Sequence, residues 1–199
     1  MGKDVVVIAS GETERRSLRH LMAPLLAEGT RLVEVRIPPG GRALKLDMAE
    51  KLVKACWYEK IDAPPDKFVI LVDTDGKNPD EVLRPFREQL QGRVSPSINA
   101  QFLFAYAQRH LEAWYFAAVQ AMRDYLGRDE GGIDASKPDQ IQNPKLHLKH
   151  LLGERVYTAL ISEEIARKVN PQIIGQRGPS FHGFAEAVRN GGTPVTDPA

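Results

Sequence analysis

The run Phe68-Val69-Ile70-Leu71-Val72 constrains the fold more than any other stretch of the chain. It is too short for a helix and has no polar face, so it reads as a strand buried on both sides. Such strands belong to parallel sheets with helices above and below. Val5-Val6-Val7-Ile8-Ala9 repeats the pattern near the start of the chain. Leu32 to Ile37 alternates weakly and reads as a further strand, and Ile98 to Ala107 as a fourth. Between the strands lie apolar residues at helical spacing: Leu18, Leu21, Met22 and Leu25, with Pro24 shortening the helix, then Met48, Leu52, Val53 and Cys56. Asn78 is an N-cap, followed by Pro79 and by Glu81 at the capping-box position, ahead of Val82, Leu83, Phe86 and Leu90. Leu111, Trp114, Tyr115, Ala118, Met122 and Tyr125 form one more helix. The alternating order predicts an α/β fold, a mostly parallel four-stranded sheet with helices on both faces.

Beyond that sheet, Gly127 to Pro144 is polar and reads as a loop. Short helices are expected near Lys145–Leu152 and Ser162–Val169, and Gly178-Pro179-Ser180-Phe181 reads as a turn that docks Phe181. The predicted organisation is a core over 1–126, a C-terminal helical extension of the same domain over 127–190, and a flexible tail over 191–199.

Composition narrows the function. The 199 residues are 42% hydrophobic and 27% charged, ordinary values for a single globular domain. A net charge of +1 excludes a large nonspecific grip on nucleic acid unless it is local or supplied by a partner. Cys56 is the lone cysteine, which excludes an internal disulfide and a cysteine zinc site and fits the cytoplasm. No apolar run is long enough to span a membrane, and no signal peptide is expected. The phosphate-binding loop of ATPases, the dinucleotide glycine motif, the G-x-S-x-G elbow and the H-E-x-x-H zinc motif are all missing.

In a parallel sheet, ligands sit beyond the C-terminal ends of the strands. Acidic turns follow two of these strands. Asp73 and Asp75 lie two residues apart, so on an extended chain their side chains point the same way, and a hard cation would relieve their repulsion. The bland alternative is a solvated turn. In Ser10-Gly11-Glu12-Thr13-Glu14, Gly11 permits a sharp turn or a close phosphate, while Glu12 and Glu14 also suit a helix start electrostatically. Glu112 opens a helix beside His110, with Trp114 and Tyr115 read as core. Asn143-Pro144-Lys145 is a capped helix start whose lysine could neutralise a phosphate or simply face solvent.

In order and spacing these phrases resemble one family. The Ser10–Glu14 turn, Leu71-Val72-Asp73-Thr74-Asp75-Gly76, Leu111-Glu112-Ala113-Trp114, Asn143-Pro144-Lys145 and Pro179-Ser180-Phe181 look like the bacterial domain of unknown function 4276 family, a Toprim-like group. The resemblance spans nearly the whole chain. It implies the fold shared by primases, topoisomerases and overcoming-lysogenisation-defect nucleases, a place beside ATPases in antiviral defence, and Mg²⁺- or Mn²⁺-dependent cleavage of DNA or RNA. Asp73, Asp75, Glu14 and Glu112 would be metal ligands, Glu14, Glu112 and Lys145 catalytic, and Ser10, Gly11 and Glu12 turn or phosphate contacts. Ser10 stands where the family carries its first glutamate. Either Glu12 or Glu14 takes that place, or the pocket keeps only binding and the chain is an adaptor for an ATPase. A phosphoacceptor receiver domain, which expects a single aspartate at that strand end, fits the Asp73/Asp75 pair poorly.

Overall fold

The computed structural model describes residues 3–26, 30–94, 98–127 and 137–189. Four strands, β1 (Lys3–Ile8), β2 (Thr30–Arg36), β3 (Lys67–Asp73) and β4 (Gln101–Ala107), form one sheet in the order β2-β1-β3-β4, and every pairing is parallel. β3 is central and both long apolar runs are buried, as expected of strands covered on two faces.

Alternation along the strands sorts side chains into two cores. Val6, Ile8, Phe68, Ile70 and Val72 face α2 (Leu46–Glu59) and the segment that begins with α3 (Pro79–Pro85). Phe68 and Phe102 stack there, ring centroids 5.6 Å apart. Pro85 cannot donate to the helical ladder, and the helix widens into a π turn over Phe86–Leu90 before α4 (Gln91–Val94). Val5, Val7, Ala9, Val69, Leu71, Ala105 and Ala107 face the other way. They meet α1 (Glu12–Met22), α5 (Glu112–Phe116) and α6 (Val119–Leu126), and also α7 (Pro144–Leu152), α8 (Ala159–Ala166), α9 (Pro171–Arg177) and α10 (Pro179–Arg189). The C-terminal helices therefore complete the same core as the sheet.

Several local expectations are met. Asn78 and Asn143 cap their helices by accepting from Asp80 N and Leu146 N, while the helix expected near Ser162–Val169 starts earlier, at Ala159, because Thr158 caps it by accepting from Ile161 N. The Asn78 bond goes to the second helical residue, not to the third as a capping box has it. Pro24 ends α1 in a 3₁₀ turn over Ala23–Leu25. Trp114 and Tyr115 are core residues with no exposed surface.

Other expectations are corrected. The single helix through Tyr125 is broken at Ala117–Ala118, where Ala118 has φ −99° and ψ 60° and Arg177 Nη1 donates to the Ala117 carbonyl at 3.1 Å. The turn at Gly178–Phe181 is the junction of α9 and α10, with Pro179 as the first helical residue. Phe181 is docked as expected, edge-on to Trp114 at 5.0 Å. Ser180 ties that junction down, accepting from Trp114 Nε1 at 2.8 Å and donating to Asp139 Oδ1 at 2.7 Å. The tail over 191–199 lies outside the described residues.

At the opposite end of the sheet Lys67, the first residue of β3, is fully buried, and its Nζ donates to the carbonyls of Ala187 and Val188 at 3.2 and 3.0 Å. These are last-turn carbonyls of α10, which lack helical partners. Burial, aided by Lys3, brings the Lys67 pKa down to about 8.

Candidate acidic pocket

The exits of β1, β3 and β4 lie along one edge of the sheet. β1 stops level with Ile70, so the Ser10-Gly11 turn leaves beside the last residues of β3. The exits of β3 and β4 are laced together. Thr74 N donates to Ala107 O at 3.1 Å, Arg109 N to Thr74 Oγ1 at 3.2 Å, and Asp75 N to Arg109 O at 3.4 Å. Lys77 N closes the turn onto Thr74 O at 2.9 Å. Both central residues of that turn, Asp75 and Gly76, have positive φ (51° and 79°), as a type I′ turn requires. A Cβ on Gly76 would lie 2.7 Å from Arg109 Cζ, so the guanidinium packs where only glycine leaves room. Arg109, itself at φ 68°, donates to Gln142 Oε1 at 2.7 Å.

This turn changes the reading of the Asp73/Asp75 pair. The chain is not extended across it, because β3 ends at Asp73. Asp73 has the parity of Val69 and Leu71 and points toward α1 and α5, with its Oδ1 buried and lacking a hydrogen-bond partner. Asp75 is turned outward, its side chain 66% exposed and 3.3 Å from His110 Nε2.

The buried carboxyls of Glu14 and Glu112, the half-buried Asp73 and a lysine act on one another here. Glu14 lies on the buried stripe of α1 with Ser17, Leu18 and Leu21, and Glu112 opens α5 at 1% exposure. Burial, reinforced by the charge of Glu112, pushes the Glu14 pKa up to about 7, against backbone hydrogen bonds and Lys145. Asp73 is driven well above the usual carboxylate range by burial, then by Glu14, Glu112 and Asp75, with Lys145 opposing. Tyr157 OH donates to Glu112 Oε1 at 2.6 Å. Lys145 Nζ sits over the Tyr157 ring, 5.9 Å from its centroid. Below, Tyr115 OH lies 2.9 Å from Ser17 Oγ and 2.6 Å from Ser162 Oγ, a hydroxyl cluster that joins α1, α5 and α8.

Glu14, Asp73, Glu112 and Lys145 thus lie close enough at this sheet edge for their charges to act on one another, and the exposed Asp75 also acts on Asp73. Gly11 caps α1 in ordinary extended backbone, and a Cβ there would come 3.3 Å from Glu14 Oε2. Ser10 is half-buried at the turn. Glu12 is elsewhere: its carboxylate is held on the surface by Arg15 and Arg16 at 2.7 and 2.9 Å. Sequence reasoning missed Tyr157, Thr74, Arg109 and Gln142. Only the Asp75-Gly76 dipeptide carried a local signal for any of them, since Asp-Gly favours the turn they surround.

The donor set suits a hard divalent cation. It consists of carboxylate oxygens, it is buried, and Asp73 offers an orphaned oxygen that would otherwise be costly. The oxygens are not yet a cage: among the described residues no three His, Cys, Asp or Glu side chains stand together as a ready metal site. Without a cation, burial first and the neighbouring carboxyls second favour the protonated forms, which raises both Glu14 and Asp73.

Fold and pocket together define an α/β protein with a buried acidic site at the C-terminal edge of a parallel sheet. The family model described as Domain of unknown function (DUF4276) matches residues 10–189, and the chain belongs to that family. No curated protein is detectably similar to it. Three structures of the C-terminal region of the Xanthomonas campestris pv. campestris OLD protein are similar, phased with iodine, mercury and platinum. The first is 15% identical with a TM-score of 0.43, covering 92% of this chain and 95% of that one. The second is 18% identical with a TM-score of 0.42 over the same shares. The third is 17% identical with a TM-score of 0.40, covering 94% of each. No helix among the described residues is long and apolar enough to cross a membrane.

Proposed function

We propose that this chain is a Mg²⁺- or Mn²⁺-dependent phosphodiesterase of the Toprim-like kind, acting on DNA or RNA. The observation that carries the reading is the unpartnered, buried Oδ1 of Asp73, set among Glu14, Glu112 and Lys145. Asp73, Glu14 and Glu112 would hold the cation, with Asp75 able to join from the rim. A bound divalent cation polarises a phosphate and acidifies water. Lys145, whose charge acts on both Glu14 and Asp73, would face the phosphate and offset its developing charge. The raised Glu14 pKa of about 7 belongs to the cation-free site, and a bound cation would return Glu14 to its ionised, ligating form. The net charge of +1 supports weak capture of nucleic acid by the chain alone, so an ATPase partner in a cytoplasmic defence system would deliver the substrate.

The test is cleavage of plasmid, single-stranded DNA and RNA with Mn²⁺, comparing wild type with Asp73→Ala. Loss of at least a hundredfold is expected, about the cost of removing a group that acts directly on the reacting centre. Activity that survives Asp73→Ala rules the mechanism out. One observation favours a second reading: Ser10 supplies no carboxylate at the first turn. A pocket of that kind would serve an adaptor that docks on an ATPase. Titration calorimetry separates the two, because an adaptor with a degenerate pocket takes up no Mn²⁺.

A further inference from the structure

Tyr157 lies in the connection between α7 and α8, just before Thr158 caps α8. Its place is set by a clamp between α8 and α1. Ser162 Oγ meets Ser17 Oγ at 2.9 Å, and Glu163 takes Arg16 at 3.1 Å and His20 at 3.2 Å. From that base the tyrosine reaches two members of the acidic pocket. Its hydroxyl donates to Glu112 Oε1 at 2.6 Å, and the face of its ring lies beneath Lys145 Nζ at 5.9 Å.

We propose that Tyr157 is the positioning residue of the pocket, orienting Glu112 toward the cation through its hydroxyl and holding Lys145 toward the phosphate through its ring. The inference rests on the metal-dependent reading above. With Oε1 tied down, Glu112 presents its second oxygen in one rotamer, as outer partners of metal ligands do. The ring adds a weak cation–π restraint on a flexible lysine. An ordinary phenol is protonated at neutral pH, so the hydroxyl is the donor in its bond to Glu112.

The experiment compares wild type, Y157F, Y157H, Y157L and D73A as full chains. Mn²⁺ affinity is read by calorimetry, kcat and KM on single-stranded DNA, and folding by thermal melting. Y157F is expected to weaken Mn²⁺ binding roughly tenfold, in the range for outer partners of metal ligands, with KM for DNA unchanged. Y157L adds a rise of about threefold in KM as the Lys145 contact is lost. Y157H keeps a donor on a ring and recovers part of the Mn²⁺ affinity relative to Y157L. In an E112Q background the effect of Y157F on Mn²⁺ binding disappears, since the two act as a unit. If wild type binds Mn²⁺, D73A does not, and Y157F binds as wild type does, the positioning role is overturned and the metal reading stands. Equal losses in Y157F and Y157H indicate packing and also overturn it; if Y157F does not fold, Y157H matching Y157L does the same. Wild type that takes up no Mn²⁺ overturns both.

Discussion

The two faces of the sheet are built on opposite terms. The face under α2, α3 and α4 has an apolar cluster that includes Ile8, Phe68, Ile70, Val72, Leu83, Leu90 and Cys56, with Arg36 on the edge strand paired to Glu34 and Glu59. The other face has an equally complete apolar core but also encloses Glu14, Ser17, Lys67, Glu112, Ser162 and Ser180. A buried polar group costs free energy unless it is paired; Ser17, Lys67, Glu112, Ser162 and Ser180 are paired, whereas Asp73 Oδ1 is buried without a hydrogen-bond partner. The first face holds the strands in place. The second uses that rigidity to keep like charges close together.

Substitutions can break this contrast. Ile70→Ala, on the apolar face, should cost about 4 kcal/mol in chemical denaturation, as large-to-small core changes do. It should leave Mn²⁺ affinity within about twofold of wild type once the protein is folded, because sites with no shared partners are nearly additive. A tenfold change would mean that the two faces are not independent.

The pH dependence of stability sharpens the contrast. Glu14 has its pKa raised from 4.5 to about 7 in the folded protein, so the native state binds more protons than the unfolded state between those values. Its contribution to stability is therefore fully present below about pH 4.5 and is lost as the pH rises through about 7. The loss amounts to about 3 kcal/mol at most. Glu14→Gln should flatten this part of the profile. Mn²⁺, which favours the ionised form, should raise the melting temperature more at pH 8 than at pH 5.5. A profile unaffected by Glu14→Gln would show that the pocket does not titrate as a coupled group.

The smallest effect is expected two residues away. Glu12→Gln removes surface ion pairs only and should stay within about 0.5 kcal/mol of wild type, with unchanged Mn²⁺ binding. A larger effect would place Glu12 in the pocket after all.

The layered architecture was legible because β1 and β3 are uninterrupted apolar runs, and few structures other than a doubly covered parallel sheet can hide them. Glu14 was legible too, four residues before Leu18 on a stripe that had to face the core. The conformation at Asp75 was misread because two-residue spacing implies a common direction only while the chain stays extended, and the Asp-Gly turn begins at once. α9 was overlooked although Asn170-Pro171 repeats the capping pattern seen at Asn143-Pro144, with Asn170 Oδ1 accepting from Gln172 N at 2.9 Å. The break after Ala117 depends on Arg177, 60 positions away. Tyr157 is of the same kind: its value comes from a partner 45 positions earlier, which no local periodicity can announce.

The ammonium that fastens α10 to the beginning of β3 also fixes where the described chain ends. Lys3 and Arg189, the outermost described residues, both belong to the pole where the strands start, a strand's length of about 20 Å from the carboxylates. Both ends of the described chain are therefore fixed at one pole of the sheet, with the acidic strand exits at the other.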